Sequence, residues 1–369
     1  MSELPESARL LATLVAIESV SGSEQRIADH VVELLRGWRI DCERLGHTVL
    51  ATVELGRGPR LLLNTHLDTV PVGNGWSVEP YAARWEGGKL YGRGANDAKA
   101  SVVAMLLALH ACAEARSGRG TLQLALNECE ETTNLGMGKV LERCGAPDGA
   151  ITGEPTSLEV VRAQSGLAVV TAEWHGRSCH AAHVQRVEHD NALVKAAGDI
   201  VRAGPWMKLD GEHELLGAST VATTALKSGE RHNVVPDKAE AVFDARLSPR
   251  HSAADVVALL GSRMPHARLG VRSARLKPFE TSEDHPLVQA ALATAGRTRA
   301  IGSSTMSDMA LLQGVPAVKC GPGDTARSHT PDEYVLLAEL EAGVDFYTRF
   351  APRALEALAP ALARQETSR

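Results

Sequence analysis

The sequence of 369 residues has few aromatic side chains and no excess of basic ones. It contains five Trp, four Tyr and four Phe, which is too few for a platform that stacks single-stranded nucleic acid. Its 39 Lys and Arg stand against 45 Asp and Glu, so the formal net charge is -6. Proteins that bind nucleic acid or anionic membranes have the opposite balance, and we therefore expect neither partner.

Features of secreted and membrane proteins are also lacking. The six cysteines show neither C-x-x-C spacing nor the density of a disulfide-rich domain, which predicts reduced thiols in the cytoplasm. The N-terminus has acidic residues ahead of its apolar part and no small-residue cleavage site, unlike a signal peptide. We expect no membrane span, because no apolar run approaches the roughly 20 residues that a bilayer requires.

The hydrophobic periodicity predicts an α/β domain into which a second domain is inserted. Residues 1–165 alternate between helical and strand patterns, residues 166–278 have the alternation of an antiparallel α+β domain, and the α/β pattern returns over residues 279–369. Near the N-terminus, Ser21 followed by Glu24 predicts a capping box at the start of a helix.

Five further helices are predicted, over residues 99–116, 191–202, 252–264, 285–295 and 336–362. In the first of them, Val103, Leu106, Leu107 and His110 fit the helical period. Packing on one face is a sufficient explanation for the apolar residues of the last helix, so we assign it no other role.

The motif LLLNTHLDTVP contains the first candidate site residues. An apolar strand ends at His66 and Asp68, and the carboxyl ends of strands are where open α/β sheets bind ligands. Because side chains alternate along a strand, these two lie on the same side, and the carboxylate can orient an imidazole that binds a metal. The alternative is a hydrogen-bonded structural histidine.

Four more segments carry polar side chains at strand or loop ends: YGRGANDAK with Asp97, NECEET with Glu130 and Glu131, GEPT with Glu154, and SHTPDEY with His329. The aspartate could instead cap a helix, the glutamates could form solvated acidic turns, and the histidine could be a surface residue. Adjacent carboxylates at strand ends nevertheless favour a cation, which would neutralise them. Histidine and carboxylate ligands without cysteine suit Zn²⁺ or, as substitutes, Co²⁺ and Mn²⁺.

The chain resembles the dinuclear-zinc amidohydrolases that include acetylornithine deacetylase, succinyl-diaminopimelate desuccinylase, aminoacylase and glutamate carboxypeptidase. The shared motifs follow the family's order over nearly the whole chain and are NTHLDTVP, GRGANDAK, CEET, GEPT, GRSCHAAH, NVVPD, DARLSP, GPGD and SHTPDEY. The resemblance implies a zinc-exopeptidase-like catalytic domain, with a mixed sheet between helices, formed by residues 1–165 and 279–369. It also implies that residues 166–278 are a lid and dimerisation domain.

The resemblance assigns roles to the candidate residues and implies two Zn²⁺ per subunit, with Co²⁺ as a possible substitute. The ligands it implies are, for one ion, His66, Asp97 and Glu154 and, for the other, Asp97, Glu131 and His329. Glu130 is then the general base, and Asp68 is the partner of His66. The peptide bond between Asp97 and Ala98 is expected to be cis.

Three residues of the inserted domain complete the expected site. The resemblance implies that His180 in GRSCHAAH donates a hydrogen bond to the oxyanion in the other subunit of a homodimer. Arg246 in DARLSP and Asn233 in NVVPD match positions that hold the α-carboxylate of the substrate. The alternatives are a histidine ordered at a dimer contact and ordinary polar contacts between strands.

The expected reaction is metal-dependent hydrolysis of a small N-acyl amino acid in the cytoplasm. The segments CEET, GEPT, GPGD and SHTPDEY resemble those of acetylornithine deacetylases most, so N-acetyl-L-ornithine, a substrate in arginine biosynthesis, is the expected substrate. The alternatives within the family are N-succinyl-diaminopimelate, lysine or ornithine linked to a carrier protein, and dipeptides. Outside catalysis, the alternative is a relative that only binds a metal or an amino acid, although this chain retains Glu130 and all five ligand positions.

Overall fold

The computed structural model describes residues 4–116 and 118–366, and side chains as far as residue 359. The outermost residues of the predicted domains, and the side chains of residues 360–362 in the last predicted helix, lie outside this part. The chain divides into two compact units: unit 1, Met1–Arg162, Thr281–Ile301 and Ser307–Arg369, and unit 2, Ala163–Glu280 and Gly302–Met306. The short segment 302–306 is predicted for the first domain but belongs to unit 2, because the carbonyl of Ser303 accepts a hydrogen bond from Ser165 N there.

The described chain contains eight α-helices and seventeen strands. The helices are α1 Glu6–Val15, α2 Gln25–Gly37, α3 Ala100–Ala115, α4 Leu135–Cys144, α5 Ala192–Ala203, α6 Ala253–Arg263, α7 Pro286–Ala295 and α8 Leu337–Glu366. The strands are β1 Asp41–Leu45, β2 Thr48–Gly56, β3 Arg60–His66, β4 Arg84–Glu86, β5 Lys89–Tyr91, β6 Gly120–Asn127, β7 Gly149–Thr152, β8 Val161–Gln164, β9 Gly166–His175, β10 Trp206–His213, β11 Gly217–Ser228, β12 Lys238–Leu247, β13 Arg268–Leu276, β14 Phe279–Glu280, β15 Ile301–Ser303, β16 Ala317–Lys319 and β17 Tyr334–Leu336.

The main sheet of unit 1 contains strands in the order β1-β2-β6-β3-β7-β16. β3 runs parallel to β6 and β7, and β16 runs parallel to β7, whereas the β1–β2 and β2–β6 pairs are antiparallel. The register pairs His66 with Asn127, Asn64 with Thr152, and Thr152 with Lys319. The carboxyl ends of four parallel strands therefore meet at one edge of the sheet, where α/β proteins bind ligands.

Helix α3 is buried around most of its circumference. It contacts β2, β3 and β6 of the sheet and also α1 and α8, so apolar residues are needed on more than one face. Of the residues that fit the predicted helical period, Val103 and Leu106 are buried, whereas Leu107 and His110 are half-buried. Contrary to our expectation, the segment Ala95–Ala115 is long and apolar enough to cross a membrane by length and composition alone. In the protein, 67% of its most apolar stretch is buried.

Unit 2 contains a five-stranded antiparallel sheet in the order β10-β11-β12-β9-β13. Burial alternates from residue to residue along β9 and β12, which confirms the strand pattern predicted from the sequence. The inward side chains, such as Trp174 and Phe243, form a separate core to which α5 and α6 contribute. The fold class is therefore mixed α/β in unit 1 with an α+β second unit, as predicted.

Candidate metal centre

The five predicted metal ligands all lie in unit 1, at or after the carboxyl ends of strands and in two loops. His66 is the last residue of β3, Glu131 follows β6, and Glu154 follows β7. Asp97 lies in the loop before α3, and His329 lies in the loop before β17. The parallel register of the sheet explains why segments far apart in sequence reach the same edge.

The ligand atoms form two groups that share one aspartate. In each group the atoms lie within 4.8 Å of one another, and the groups are His66, Asp97 and Glu154, and Asp97, Glu131 and His329. The Nε2 atom of His66 lies 3.3 Å from Oδ1 of Asp97, whereas Nε2 of His329 lies 3.5 Å from Oδ2 of the same residue and 2.8 Å from Oε1 of Glu131. One carboxylate thus presents one oxygen to each group, an arrangement that fits a pair of neighbouring cations.

Asp68 fixes the orientation of His66 and of the glutamate segment. The Nδ1 atom of His66 lies 2.9 Å from the carbonyl oxygen of Asp68 and 3.4 Å from its Oδ1, so the Nδ1–H can donate while Nε2 faces the ligand group. The carboxylate of Asp68 also accepts hydrogen bonds from the backbone N–H groups of Glu130, at 3.0 Å, and Glu131, at 3.1 Å, and from the hydroxyl of Ser21, at 2.7 Å. The sequence predicts only the contact with His66.

Several carboxylates of the metal-free centre hold protons more tightly than usual. Burial, and then the charge of Asp97, raises the pKa of Glu154 to about 8. Burial, and then the charge of Glu154, raises the pKa of Glu130 well above its ordinary range. Burial opposes the charged form of His66, but hydrogen bonds to Asp68 and Asp97 outweigh it and raise the pKa of this imidazole. Such a cluster of acidic groups favours the binding of cations that replace the protons.

Lys319, at the end of β16, brings a positive charge to the same region. Its side chain is only 1% exposed, and burial lowers the pKa of its ammonium group, while the charges of Glu154, Glu130 and Asp97 act in the opposite direction. The sequence does not predict this buried position, because a lysine at the end of a strand is ordinarily a surface residue.

A buried polar network contacts the predicted base. The side-chain amide of Asn134 lies 3.3 Å from Oε1 of Glu130 and donates to Oδ1 of Asp308 at 3.0 Å. The other oxygen of Asp308 accepts from Asn127 at 2.6 Å and from Asn64 at 3.3 Å. Sequence reasoning missed Asp308, since its partners come from three distant segments.

The loop that carries Asp97 has an unusual backbone. The Asp97–Ala98 peptide bond is cis, as the resemblance implies. Gly94 has a φ of +81°, and a Cβ at this position would lie 2.6 Å from Cγ2 of Thr69. Only glycine fits here, which explains the glycine in the GRGAND segment.

The other three predicted site residues lie in unit 2. His180 is exposed, and its Nδ1 accepts a hydrogen bond from Ala182 N at 3.1 Å. The segments of His180 and Asn233 lie side by side, because Ala181 N donates to the carbonyl of Asn233 at 2.9 Å. Arg246 is exposed and pairs with Asp244, two residues away on the same strand, at 2.7 and 3.2 Å.

A third group of candidate ligands, Glu24, His47 and Glu128, also lies in unit 1. Its partners do not favour a metal. Lys139 donates to Glu128 at 2.6 Å, and the guanidinium of Arg44 lies 3.2 Å from Nδ1 of His47. Since a guanidinium only donates, Nδ1 is an acceptor and a neutral ring carries its hydrogen on Nε2, which leaves no free lone pair for a cation.

Comparison with known proteins identifies the family. The sequence model of peptidase family M20/M25/M40 matches residues 62–353 of this chain. The chain belongs to this family. It is therefore a metal-dependent hydrolase, and its mixed α/β fold is that of the family.

Relatives with known names cover nearly the whole chain. The chain is 31% identical over 365 residues to a succinyl-diaminopimelate desuccinylase of Wolinella succinogenes, with 92% of this chain and 97% of the relative covered. It is 32% identical over 344 residues to a putative LysW-lysine/LysW-ornithine hydrolase of Pyrobaculum aerophilum, with 90% and 93% covered. It is 27% identical over 361 residues to an acetylornithine deacetylase of Klebsiella pneumoniae, with 90% and 94% covered.

Two solved structures show the same fold at low sequence identity. A tripeptidase of Staphylococcus aureus aligns with a TM-score of 0.78 at 20% identity and covers 95% of this chain and 98% of its own. The YXEP protein of Bacillus subtilis, described as a dinuclear metal-binding peptidase of family M20, aligns with a TM-score of 0.72 at 16% identity and covers 95% and 98%.

Proposed function

We propose that this protein hydrolyses the amide bond of an N-acylated diamino acid with the help of two divalent cations. The observation that carries the proposal is the shared position of Asp97, whose two oxygens lie beside His66 in one ligand group and beside His329 in the other. Glu154 completes the first group and Glu131 the second. Two cations with a common carboxylate ligand can act on one substrate carbonyl and one water.

The proposed cations are Zn²⁺, with Co²⁺ as a substitute. Both groups offer imidazole nitrogen and carboxylate oxygen but no thiolate, a donor set that suits these ions. The dinuclear metal site by which the Bacillus subtilis relative is described is consistent with two ions per chain.

In this proposal Glu130 moves the proton. When bound, the cations would polarise the amide carbonyl and lower the pKa of the attacking water. Glu130 takes the proton from that water and delivers it to the nitrogen of the leaving amine, which must be protonated to depart. Asp68 keeps His66 in the required orientation and holds the backbone of Glu130, while Asn134 contacts the carboxylate of this base.

The substrate class follows from what the named relatives have in common. Their names refer to succinyl-diaminopimelate, to lysine or ornithine carried by LysW, and to acetylornithine. Each of these amides yields a diamino acid on hydrolysis. N-acetyl-L-ornithine, the substrate predicted from the motifs, stays a candidate within this class, but identities of 31%, 32% and 27% do not favour it over the other two.

We also propose that the protein is a cytoplasmic homodimer in which His180 stabilises the oxyanion in the other subunit's site, while Arg246 and Asn233 bind the substrate carboxylate. The exposure of His180 and Arg246 supports these roles. Exposed apolar side chains of unit 2, among them Val194 at 65% and Val201 at 81% on α5, offer a surface for a second copy. The six cysteines are free thiols, which fits a reducing compartment.

The experiment that tests the function is a substrate panel with a chelator control. Release of free amine is measured with N-acetyl-L-ornithine, N-succinyl-diaminopimelate, LysW-linked lysine, N-acetylmethionine and a dipeptide, each with Zn²⁺ or Co²⁺. The proposal predicts chelator-sensitive hydrolysis of at least one of the first three at a higher kcat/KM than the last two. Preferential hydrolysis of the dipeptide, or turnover that a chelator does not abolish, would contradict it.

A further inference from the structure

Glu333 joins the two loops that carry Asp97 and His329. One oxygen of its carboxylate accepts hydrogen bonds from the backbone N–H groups of Asn96, at 2.9 Å, and Asp97, at 3.0 Å. The backbone carbonyl of Glu333 also accepts from Gly92 N at 2.9 Å. A residue four positions after one ligand therefore holds the main chain of the ligand that both groups share.

The second oxygen of Glu333 is held by a buried guanidinium. Arg93 donates to it at 2.6 Å, and the side chains of Arg93 and Glu333 are 2% and 1% exposed. Arg93 also donates to the carbonyl of Val72 at 3.0 Å. Because both oxygens of the carboxylate have fixed donors, its orientation is determined on two sides, which makes it a rigid support for the Asp97 loop.

Asn96 forms a second link between the same loops. Its side-chain oxygen accepts from Asp324 N at 2.9 Å, and its amide group donates to the carbonyl of Asp324 at 3.0 Å and to the hydroxyl of Ser328 at 3.3 Å. The two links lie on either side of the ligands: Asn96 precedes Asp97, Ser328 precedes His329, and Glu333 follows both. Together they restrict the distance between the loops.

We propose that Glu333, with Arg93 and Asn96, is a positioning residue that fixes Asp97 and His329 relative to each other before cations bind. The inference rests on the metal centre of the proposed function and extends it to residues outside both ligand groups. Outer partners of this kind commonly change metal affinity by about 10- to 100-fold when they are removed.

The direct test is hydrogen exchange of the Asn96 and Asp97 amides in the metal-free full-length protein. Glu333→Gln leaves one acceptor oxygen, which can serve either the two amides or Arg93 but not both. We expect the two amides to exchange about tenfold faster or more in this variant. The matched control is Glu339→Gln, because Glu339 forms a similar pair with Arg327, at 2.6 and 2.7 Å, in the same segment. Exchange at the wild-type rate in Glu333→Gln, or equal acceleration in Glu339→Gln, would overturn the proposal.

Metal affinity gives the second readout, by competition with a chromophoric chelator for Zn²⁺. We expect an affinity loss of about 10- to 100-fold in Glu333→Gln and less than about threefold in Glu339→Gln. If Glu333→Gln does not fold, Asn96→Ser is measured in its place, and the same loss of Zn²⁺ affinity is expected. An unchanged affinity of the variant measured would overturn the proposal. A wild-type protein that binds no Zn²⁺ would contradict the proposed function, whereas the exchange of the two amides would still decide on the role of Glu333.

Discussion

Single carboxylates organise the candidate centre. Asp97 presents an oxygen to each ligand group, and Asp68 contacts His66 together with the backbone of Glu130 and Glu131. A substitution at either aspartate changes several contacts at once, so it cannot separate binding from proton transfer. Glu130 is better suited to that purpose, because glutamine has nearly the same size and removes only the ability to take up a proton.

We predict that Glu130→Gln retains both cations and loses turnover by at least about 100-fold, since general acid–base catalysis contributes 10² to 10⁴ in rate. The measurements are kcat with the preferred substrate of the panel and the metal content by elemental analysis. The matched control is Glu128→Gln, because Glu128 lies two residues away and pairs with Lys139. This variant should keep the activity of the wild type. Activity of Glu130→Gln within tenfold of the wild type would mean that another group moves the proton.

The pH dependence of metal binding follows from the raised pKa values of His66 and Glu154. In the metal-free protein the pKa of His66 lies well above its usual range, and the pKa of Glu154 is about 8. Below pH 8 a cation must displace these protons in order to bind. The affinity for Zn²⁺ should therefore rise from pH 6 to pH 8, by about tenfold per pH unit for each proton displaced. Calorimetry in buffers of different ionisation enthalpy measures the released protons directly. Binding of Zn²⁺ without proton release between pH 6 and pH 8 would refute the role of His66 and Glu154 as ligands.

Local sequence signals predict helix ends only where tertiary contacts leave them free. Ser252 begins α6 with a capping box, and Asn191 caps α5, both at the predicted places. The capping box predicted at Ser21 and Glu24 is wrong, because α2 begins at Gln25 and has no side-chain cap. The hydroxyl of Ser21 donates instead to Asp68, and the carboxylate of Glu24 accepts from Cys129 N at 3.0 Å. The side chains of Ser21 and Glu24 therefore contact segments of the candidate centre and do not cap helix α2.

Helix α5 of unit 2 is held to its sheet by a buried aspartate. Asp199 accepts hydrogen bonds from the indole of Trp174 at 2.9 Å and from Arg202 at 2.7 Å, and its Oδ1 lies 3.0 Å from Nδ1 of His266. Burial opposes the charged form, but these hydrogen bonds outweigh it and lower the pKa of Asp199. The carboxylate therefore stabilises the folded unit when it is ionised.

We predict that Asp199→Asn lowers the free energy of unfolding by about 1 to 3 kcal/mol at pH 7. Because the pKa is lower in the folded state, the contribution is complete above the unfolded value of about 3.9 and is lost as the pH falls through the folded pKa. Urea unfolding at pH 7 and at pH 3 measures the difference, with the exposed Asp210→Asn as control. An equal loss at both pH values would show that packing, not charge, is responsible.

Across the whole molecule, the sequence predicts the candidate ligand groups better than the side chains around them. The candidate ligands lie in short motifs such as GRGANDAK and SHTPDEY, where residue type and spacing indicate the chemistry. Asp308, Glu333 and Lys319 support the same centre, but their partners lie in segments that only the folded sheet brings together. The segment 302–306 is a similar case, because it continues strand β15, whose pairing partner β8 is distant in the sequence.

Two cations that share Asp97 would both appear in the metal content of the purified protein, which is therefore the measurement to make first. After equilibrium dialysis against Zn²⁺, elemental analysis should find two ions per chain in the wild type and one in His329→Ala, which loses a ligand of the second group only. His66→Ala should likewise lose an ion from the first group. A wild type with a single ion, or variants that bind as many ions as the wild type, would show that Asp97 is not shared by two cations.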